Sequence, residues 1–359
     1  MISISLCMIV KNEEDTLGRC LSSIHDLVDE IIIVDTGSTD RTKFIASNYT
    51  ELIFDREWTD DFAAARNYAF SKAGKDYIFW LDADDMLLEN DREKLAILKA
   101  ELSPEVDSVR MNYHLAFDEY GNLTSSISRN RLVKRVNNYR WIGAVHEYLE
   151  VWGNIESSDI AVIHNSLHHD RNRNLMIYEK RLERGETFTP RDLYYYANEL
   201  RDHGKYEQAI LHYEKFLSTG EGWVEDNAAT CGKLADCYNQ LGDAERELES
   251  ILRSFQYGSP RAEFCCRLGY YFLQQKDFET AGYWYNLAIE RGQSDQRLGF
   301  VNVACSTWLP HLQLCVCYDR LGDYEQAYRH NEAARAFRPD DPRVLQNKAY
   351  LESLQVQAE

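Results

Sequence analysis

The N-terminal part of the chain alternates short apolar runs with stretches of helical period. "ISISLCMIV", "EIIIVD", "ELIF" and "DYIFWLD" are apolar in nearly every position, the pattern of strands buried on both faces. Between them, "NEEDTLGRCLSSIHDL", "STDRTKFIASNY" and "DDFAAARNYAFSKA" place apolar residues at helical spacing. Ser38 or Thr39 is expected to cap the second helix, with Asp40 in its first turn. Asp85 is expected to cap a fourth helix that begins in "DDMLLENDREKLAIL". Strands alternating with helices predict right-handed βαβ units and a mostly parallel sheet. From about residue 106 to 164 the pattern changes to shorter strands with turn signals, as in "DSVRMNYHLAFD", "EYGN" and "SRNRLVKRV". An antiparallel addition to the sheet is expected there.

Beyond about residue 190 the period is helical throughout and repeats. "YYYANELRDHGKYEQAILHYEKFL", "CGKLADCYNQLGDAERELESIL", "FCCRLGYYFLQQKDFETAGYWYNLAI" and "LQLCVCYDRLGDYEQAYRHNEAARAF" each read as helix, turn, helix. The turns centre on Gly204, Gly242, Lys276 and Gly322, close to the 34-residue tetratricopeptide period. Tyr206 with Ala209, Phe278 with Ala281, and Tyr324 with Ala327 follow the turns. Small Ala lets neighbouring helices approach, and the aromatics fill the gaps, so these stripes are expected to be core. The predicted division is an α/β domain over 1–170 and an all-α tetratricopeptide-like domain over 171–359.

Composition narrows the partners. The chain of 359 residues carries a formal net charge of −19, which disfavours nucleic acid as the principal partner because phosphate backbones attract clustered Lys and Arg. Residues 1–170 hold 30 acids against 17 Lys and Arg, so acid is concentrated in the predicted α/β part and favours a cation site there. No apolar run reaches the ~18 residues of a membrane span, and the N-terminus lacks the basic start of a secretion signal. Nine cysteines without a CxxC pair predict reduced, buried thiols and a cytoplasmic protein.

The candidate chemistry lies at the strand ends, where parallel sheets bind ligands. "WLDADD" sets Asp82, Asp84 and Asp85 directly after a buried strand. Carboxylates two residues apart on one side of an extended chain stand about 6–7 Å apart and can hold a hard divalent cation against a diphosphate. A phosphatase-type DxD is disfavoured, because Met86 stands where that chemistry needs a hydroxyl. "MIVKNEE" ends a strand in Val10, Lys11, Asn12 and Glu13, and "VDTGSTD" ends another in Asp35, a carboxylate suited to a base or a ribose hydroxyl. Neither GxGxxG nor GxxxxGK[ST] occurs, so Arg66 in "AAARN" is expected to help meet diphosphate charge. A nucleotidyltransferase would need a basic loop near the N-terminus, and "VKNEED" is acidic. A binding scaffold with an inert first half remains the alternative.

Taken together, "SLCMIVKNEEDTL", "EIIIVDTGSTDRT", "FAAARNYA" and "DYIFWLDADD", in that order and spacing, resemble the inverting glycosyltransferases of family 2. The pairing with helical repeats is similar to bacterial enzymes that include the sublancin-type bacteriocin S-glycosyltransferases, whose helical tail serves dimerisation. The resemblance implies a GT-A, Rossmann-like fold, a nucleotide-sugar donor, most simply a UDP-sugar, and Mn²⁺ or Mg²⁺. It implies an acceptor hydroxyl or thiol on a peptide, glycan or small molecule, and a homodimer formed through the repeats. By the same resemblance Val10, Lys11, Asn12, Glu13 and Asp35 hold the nucleoside, Asp82 faces the ribose or the metal, Ala83 belongs to the donor site, and Asp84 binds the metal. Arg66 and Asn67 border the donor. A downstream histidine often joins the metal, and "AVIHNSLHHD" offers His164, with His168 and His169 behind it. In "RWIGAVHEYLEV", Glu147 is the expected base, His146 lies beside it, and Trp141 is the expected sugar platform. The family carries its base in an acid pair where this chain has "HE". A Cys acceptor would lower the demand on that base, since its thiolate forms near neutral pH.

Overall fold

The structure is a computed structural model and describes residues 1–165, 172–292 and 301–358. The chain divides into two compact units, residues 1–115 with 126–187, and residues 116–125 with 188–359.

The first unit is built on one sheet. Its strands are β1 (Ile4–Val10), β2 (Glu30–Asp35), β3 (Ile53–Asp55), β4 (Tyr77–Trp80), β5 (Asp85–Met86), β6 (Ser108–Phe117), β7 (Leu123–Lys134) and β10 (Ile155–His164), in the order β3-β2-β1-β4-β7-β6-β10-β5. β1 runs parallel to β2 and β4, and β2 to β3, while β4 pairs antiparallel with β7 and β5 with β10. A two-stranded ribbon, β8 (Arg140–Ile142) and β9 (Tyr148–Glu150), stands apart from this sheet. The apolar runs form β1, β2 and β4 with both faces covered, and Ile4, Leu6, Ile33 and Phe79 are fully buried, whereas "ELIF", expected to be buried on both faces, supplies the edge strand β3, whose residues are half-buried or exposed.

The helices α1 (Leu17–Ser22), α2 (Thr42–Ala46), α3 (Phe62–Phe70), α4 (Glu89–Glu101) and α5 (Arg173–Glu183) complete the unit. The first two are shorter than their patterns predict. The amides of Asn12, Glu13 and Glu14 donate to Ser38 Oγ, Thr42 Oγ1 and Asp40 Oδ2, so side chains replace a helical ladder. Ser38 and Thr39 consequently do not cap α2. Asp40 Oδ1 instead accepts from the Thr42 amide at 2.9 Å. The expected cap at Asp85 is also corrected: α4 starts at Glu89 after Leu88, and Asp85 is a fully buried member of β5.

The second unit is a stack of helix pairs: α6 (Pro190–Asp202) with α7 (Tyr206–Thr219), α8 (Val224–Gln240) with α9 (Ala244–Arg253), α10 (Ala262–Gln274) with α11 (Phe278–Gly292), and α12 (Trp308–Leu321) with α13 (Tyr324–Phe337). A further helix, α14 (Pro342–Ala358), follows. The connecting residues Gly204, Gly242, Lys276 and Gly322 all adopt positive φ, from 60° to 82°, which reverses the chain after each first helix. Ala209, Ala281 and Ala327 are fully buried, so the small-residue stripe lets paired helices close on each other.

Candidate active site

The carboxyl ends of β1 and β2 are laced together. Asn12 adopts a φ of 55°, which Asn tolerates better than most residues. In that conformation its Oδ1 accepts from the Thr39 amide at 2.8 Å. Val10, the last residue of β1, is buried, and its carbonyl accepts from the Thr36 amide at 2.9 Å. Asp35 is fully buried. Its Oδ1 accepts from the amides of Gly37 and Ser38 at 2.9 and 2.8 Å, and its Oδ2 has no hydrogen-bond partner among the described residues. A buried carboxylate oxygen without a donor is costly, which makes it a candidate acceptor for a ligand N–H or O–H. Lys11 is exposed beside this loop.

β4 ends at Trp80, and "LDADD" turns rather than continuing the strand, with the Asp85 amide bonded to Asp82 O at 3.1 Å. Strand alternation therefore does not govern the three carboxylates. Asp82 points to Arg66, whose Nη2 lies 2.6 Å from its Oδ1. Asp84 meets His164, the last residue of β10, with His164 Nδ1 3.5 Å from Asp84 Oδ1 and 3.6 Å from Asp85 Oδ1. One donor atom from each of Asp84, Asp85 and His164 falls within 4.8 Å of the others. Ala83 is buried between these acids. His168 and His169 lie outside the described residues.

Arg66 is the hub of the opposite wall. Its Nε lies 2.6 Å from Glu147 Oε1, so one guanidinium serves Asp82 and Glu147 together. The indoles of Trp80 and Trp141 support it at 5.1 and 4.8 Å from their ring centres. Two expectations are corrected here. Arg66 is 8% exposed with both forks on carboxylates, so it braces the site instead of projecting toward a diphosphate. Trp141 is 5% exposed and edge-on to Trp80 and Phe70, so its ring is a floor for Arg66 and not a platform for a sugar. Asn67 fixes that floor: its Nδ2 donates to Trp141 O and its Oδ1 accepts from Trp141 N, both at 2.9 Å. Gly143 and His146 adopt φ of 100° and 50°, folding the ribbon so that Glu147 reaches Arg66. Glu147 Oε2 makes no hydrogen bond among the described residues.

Residues 5–148 match Glycosyl transferase family 2. The match lies within the first unit, apart from residues 116–125. Over 230 residues, 60% of this chain, the sequence is 28% identical to the SPbeta prophage-derived glycosyltransferase SunS of Bacillus subtilis, of which it covers 53%. It is 28% identical over 162 residues to the lipopolysaccharide core biosynthesis glycosyltransferase LpsC of Rhizobium meliloti, covering 43% of this chain and 59% of that protein. A TPR repeat-containing protein of Synechococcus elongatus is 50% identical over 88 residues, 24% of this chain and 22% of that protein. The chain thus spans about half of SunS or less of such relatives. Among solved structures, the C-terminal part of a TPR repeat-containing protein from Cytophaga hutchinsonii aligns with a TM-score of 0.42 at 14% identity, covering 53% of this chain and 68% of that one. The second unit is a set of tetratricopeptide-like helix pairs.

Electrostatics within the first unit follow from this geometry. Burial alone would raise the Asp82 carboxyl, but Arg66 and Arg131 hold it below the ordinary carboxylate value. Burial and the nearby Asp84 and Asp82 raise Glu13, against the lowering hydrogen bond from Thr16. Bonding to Asp84 and then Asp85 pushes the His164 imidazole up to about 10 against the effect of burial. The carboxylates thus favour positive charge on the imidazole at this spot. Two carboxylates and an imidazole within 4.8 Å form an oxygen-rich donor set that fits Mn²⁺ or Mg²⁺. The structure also brings in Arg131 and Tyr113, which sequence reasoning missed. Three acids packed against a buried strand were the signal that an equally buried cation must exist.

Proposed function

We propose that the chain transfers a sugar from a nucleotide sugar to a hydroxyl or thiol acceptor, with inversion at the anomeric carbon. The observation that carries this reading is the Asp84, Asp85 and His164 cluster at the sheet's carboxyl edge, facing the carboxylate Glu147 across Arg66. Asp35 Oδ2 accepts a hydrogen bond from the nucleoside, and a uracil N–H suits it, which favours UDP. Val10, Lys11, Asn12 and Glu13 frame that niche, and Asp82 with Ala83 faces the ribose. Asp84 and His164 hold Mn²⁺ or Mg²⁺. The bound ion would neutralise charge on the departing diphosphate.

The acceptor oxygen or sulfur forms its bond to the anomeric carbon as the bond to the diphosphate oxygen breaks. Glu147 Oε2 takes the acceptor proton while Arg66 fixes Oε1. The acceptor approaches on the side of Glu147 and His146, and a peptide, a glycan and a small molecule are the suitable classes. A reducing compartment such as the cytoplasm suits nine unpaired buried thiols, and the helical unit provides a surface for a homodimer. No helix among the described residues is long and apolar enough to cross a membrane. A scaffold with an inert first unit leaves both the acid–histidine cluster and the orphan oxygen of Asp35 unexplained.

The test is a panel of UDP-, GDP- and dTDP-sugars incubated with purified protein and Mn²⁺. Release of nucleoside diphosphate from one donor, abolished by chelator, is expected. No hydrolysis and no thermal shift with any nucleotide plus Mn²⁺ would return the scaffold reading to favour.

A further inference from the structure

The strand ends and the ribbon carry Glu13, Asp35, Asp82, Asp84 and Glu147, and Arg66 is held between two of these acids. A donor diphosphate adds negative charge to a place already rich in it, so a cation besides the metal and Arg66 is needed. The neighbouring arginines are engaged elsewhere. Arg131 is buried on Asp85, Arg19 donates to Asn165 O, and Arg41 stacks on Phe44. Lys43 pairs with Asp55, and Lys11 is exposed beside the Asp35 loop.

Arg173 is differently placed. It is the first residue of α5 and is exposed. It makes no ion pair or hydrogen bond among the described residues. Its guanidinium lies 4.8 Å from the centre of the Phe62 ring. Phe62 opens α3 four residues before Arg66, so the two share a face of that helix. The Phe62 amide donates to Ala144 O at 2.8 Å, which ties this ring to the loop that leads to Glu147. A guanidinium resting on an aromatic ring keeps its N–H edge available for an anion. Arg173 also acts on the opposite strand end. Burial raises the Glu13 carboxyl, the Thr16 hydroxyl lowers it, Asp84 and Asp82 raise it, and Arg173 lowers it. Arg173 therefore belongs to the same group of charges as Glu13, Asp82 and Asp84.

The helix that carries Arg173 is fixed. Leu175, Ile177 and Tyr178 are buried. Lys180, seven residues on and near the same face, lies 2.8 Å from Asp60 Oδ2, and Asp60 Oδ1 accepts from Trp58 Nε1 at 3.0 Å. α5 is thus pinned to the segment that leads into α3. We propose that Arg173 is the side chain that binds the diphosphate of the nucleotide sugar, and that Phe62 holds its guanidinium ready for it. The planar fork can give two parallel N–H bonds to phosphate oxygens. These bonds strengthen as negative charge gathers on the departing diphosphate. The choice of a nucleotide sugar rests on the sugar-transfer reading; binding of a diphosphate anion by Arg173 does not, so the two fail separately.

The experiment titrates the full chain with inorganic pyrophosphate, UDP and uridine, each with Mg²⁺, by calorimetry. Arg173→Gln should weaken pyrophosphate and UDP about 10–100-fold and leave uridine affinity unchanged. Arg173→Lys keeps the charge and loses the fork, and should recover only part of the loss. A merely structural role would weaken uridine as well. Pyrophosphate and UDP affinities of Arg173→Gln within twofold of the parent, an equal loss for uridine, or no binding of either anion by the parent would overturn the proposal. Should Arg173→Gln fold poorly, the same comparison with Arg173→Lys decides. Pyrophosphate binding that depends on Arg173, without sugar transfer from any donor, leaves the proposal standing and removes the transfer reading. Sugar transfer with unaltered kinetics in Arg173→Gln does the reverse.

Discussion

Arg66 sits between two carboxylates, and this sharing limits what each can do. Lysine cannot reproduce the fork, because a single ammonium on a flexible stem cannot address Asp82 and Glu147 in fixed directions. Arg66→Lys should therefore lower turnover about 10–100-fold while leaving UDP binding nearly intact, a split that steady-state kinetics and calorimetry can read together. Glu147→Gln keeps the shape of the side chain and removes its basicity. It should retain donor binding and lose about 10²–10⁴ in transfer to a hydroxyl acceptor. Turnover near the parent's would remove Glu147 from the base role. Asp84→Asn should abolish Mn²⁺-dependent heat on titration with UDP, and unchanged heat would refute the metal position. The acids themselves were legible in "WLDADD", as was Asp35 at the end of "EIIIVD". Their division of labour was not. It depends on the turn after Trp80, which sends Asp82 to Arg66 and buries Asp85 against Arg131, partners 16 and 46 positions away whose contacts no local pattern encodes.

At the scale of elements, the repeat turns show how closely pattern and backbone agree. Three turns use Gly at positive φ, and the fourth uses Lys276 at φ 60°, where a Cβ crowds the backbone. Lys276→Gly should raise stability by about 0.5–1 kcal/mol, the relief of that strain less the added freedom of the unfolded chain. Equilibrium denaturation measures it, and a loss of stability would show that the side chain contributes more than the strain costs. The pairing of α12 with α13 carries a pH dependence. His311 Nδ1 and His330 Nδ1 are 2.9 Å apart, and His330 stacks on Tyr318. Burial, and then His311, push His330 down to about 4. Protonation is therefore easier in the unfolded chain. The stability associated with neutral His330 is full above about pH 6.5, and falls as the pH drops toward 4. Hydrogen exchange in these helices should accelerate across that window, and His330→Gln should flatten the response. The helix-turn-helix periods were readable because each pair buries its own stripe. The shortening of α1 and α2 was not, since it arises where the Asn12 and Glu13 amides bond to the side chains of Ser38, in the loop after β2, and Thr42, at the start of α2.

The molecule as a whole joins two units of different construction, an α/β domain with long-range strand pairing and a helical array in which each pair packs on the next. A ligand of the first unit should stabilise that unit, because binding acts only on the fold that it contacts. UDP with Mn²⁺ at about 100 times its Kd should add about 2.7 kcal/mol to the transition of the first unit. Calorimetry reads this as a shift in one component of the melt, and an equal shift of both components would contradict it. The nine cysteines have a further consequence. Cys7 and Cys20 belong to the first unit and the other seven to the second, all buried and unpaired. Burial pushes the Cys231 and Cys237 thiols up to about 11, which keeps them in the unreactive protonated form. An alkylating reagent can then reach them only when the surrounding structure opens. Mass-resolved pulse labelling thus makes the chain its own breathing gauge, with two native probes in one unit and seven in the other, and needs no engineered dye.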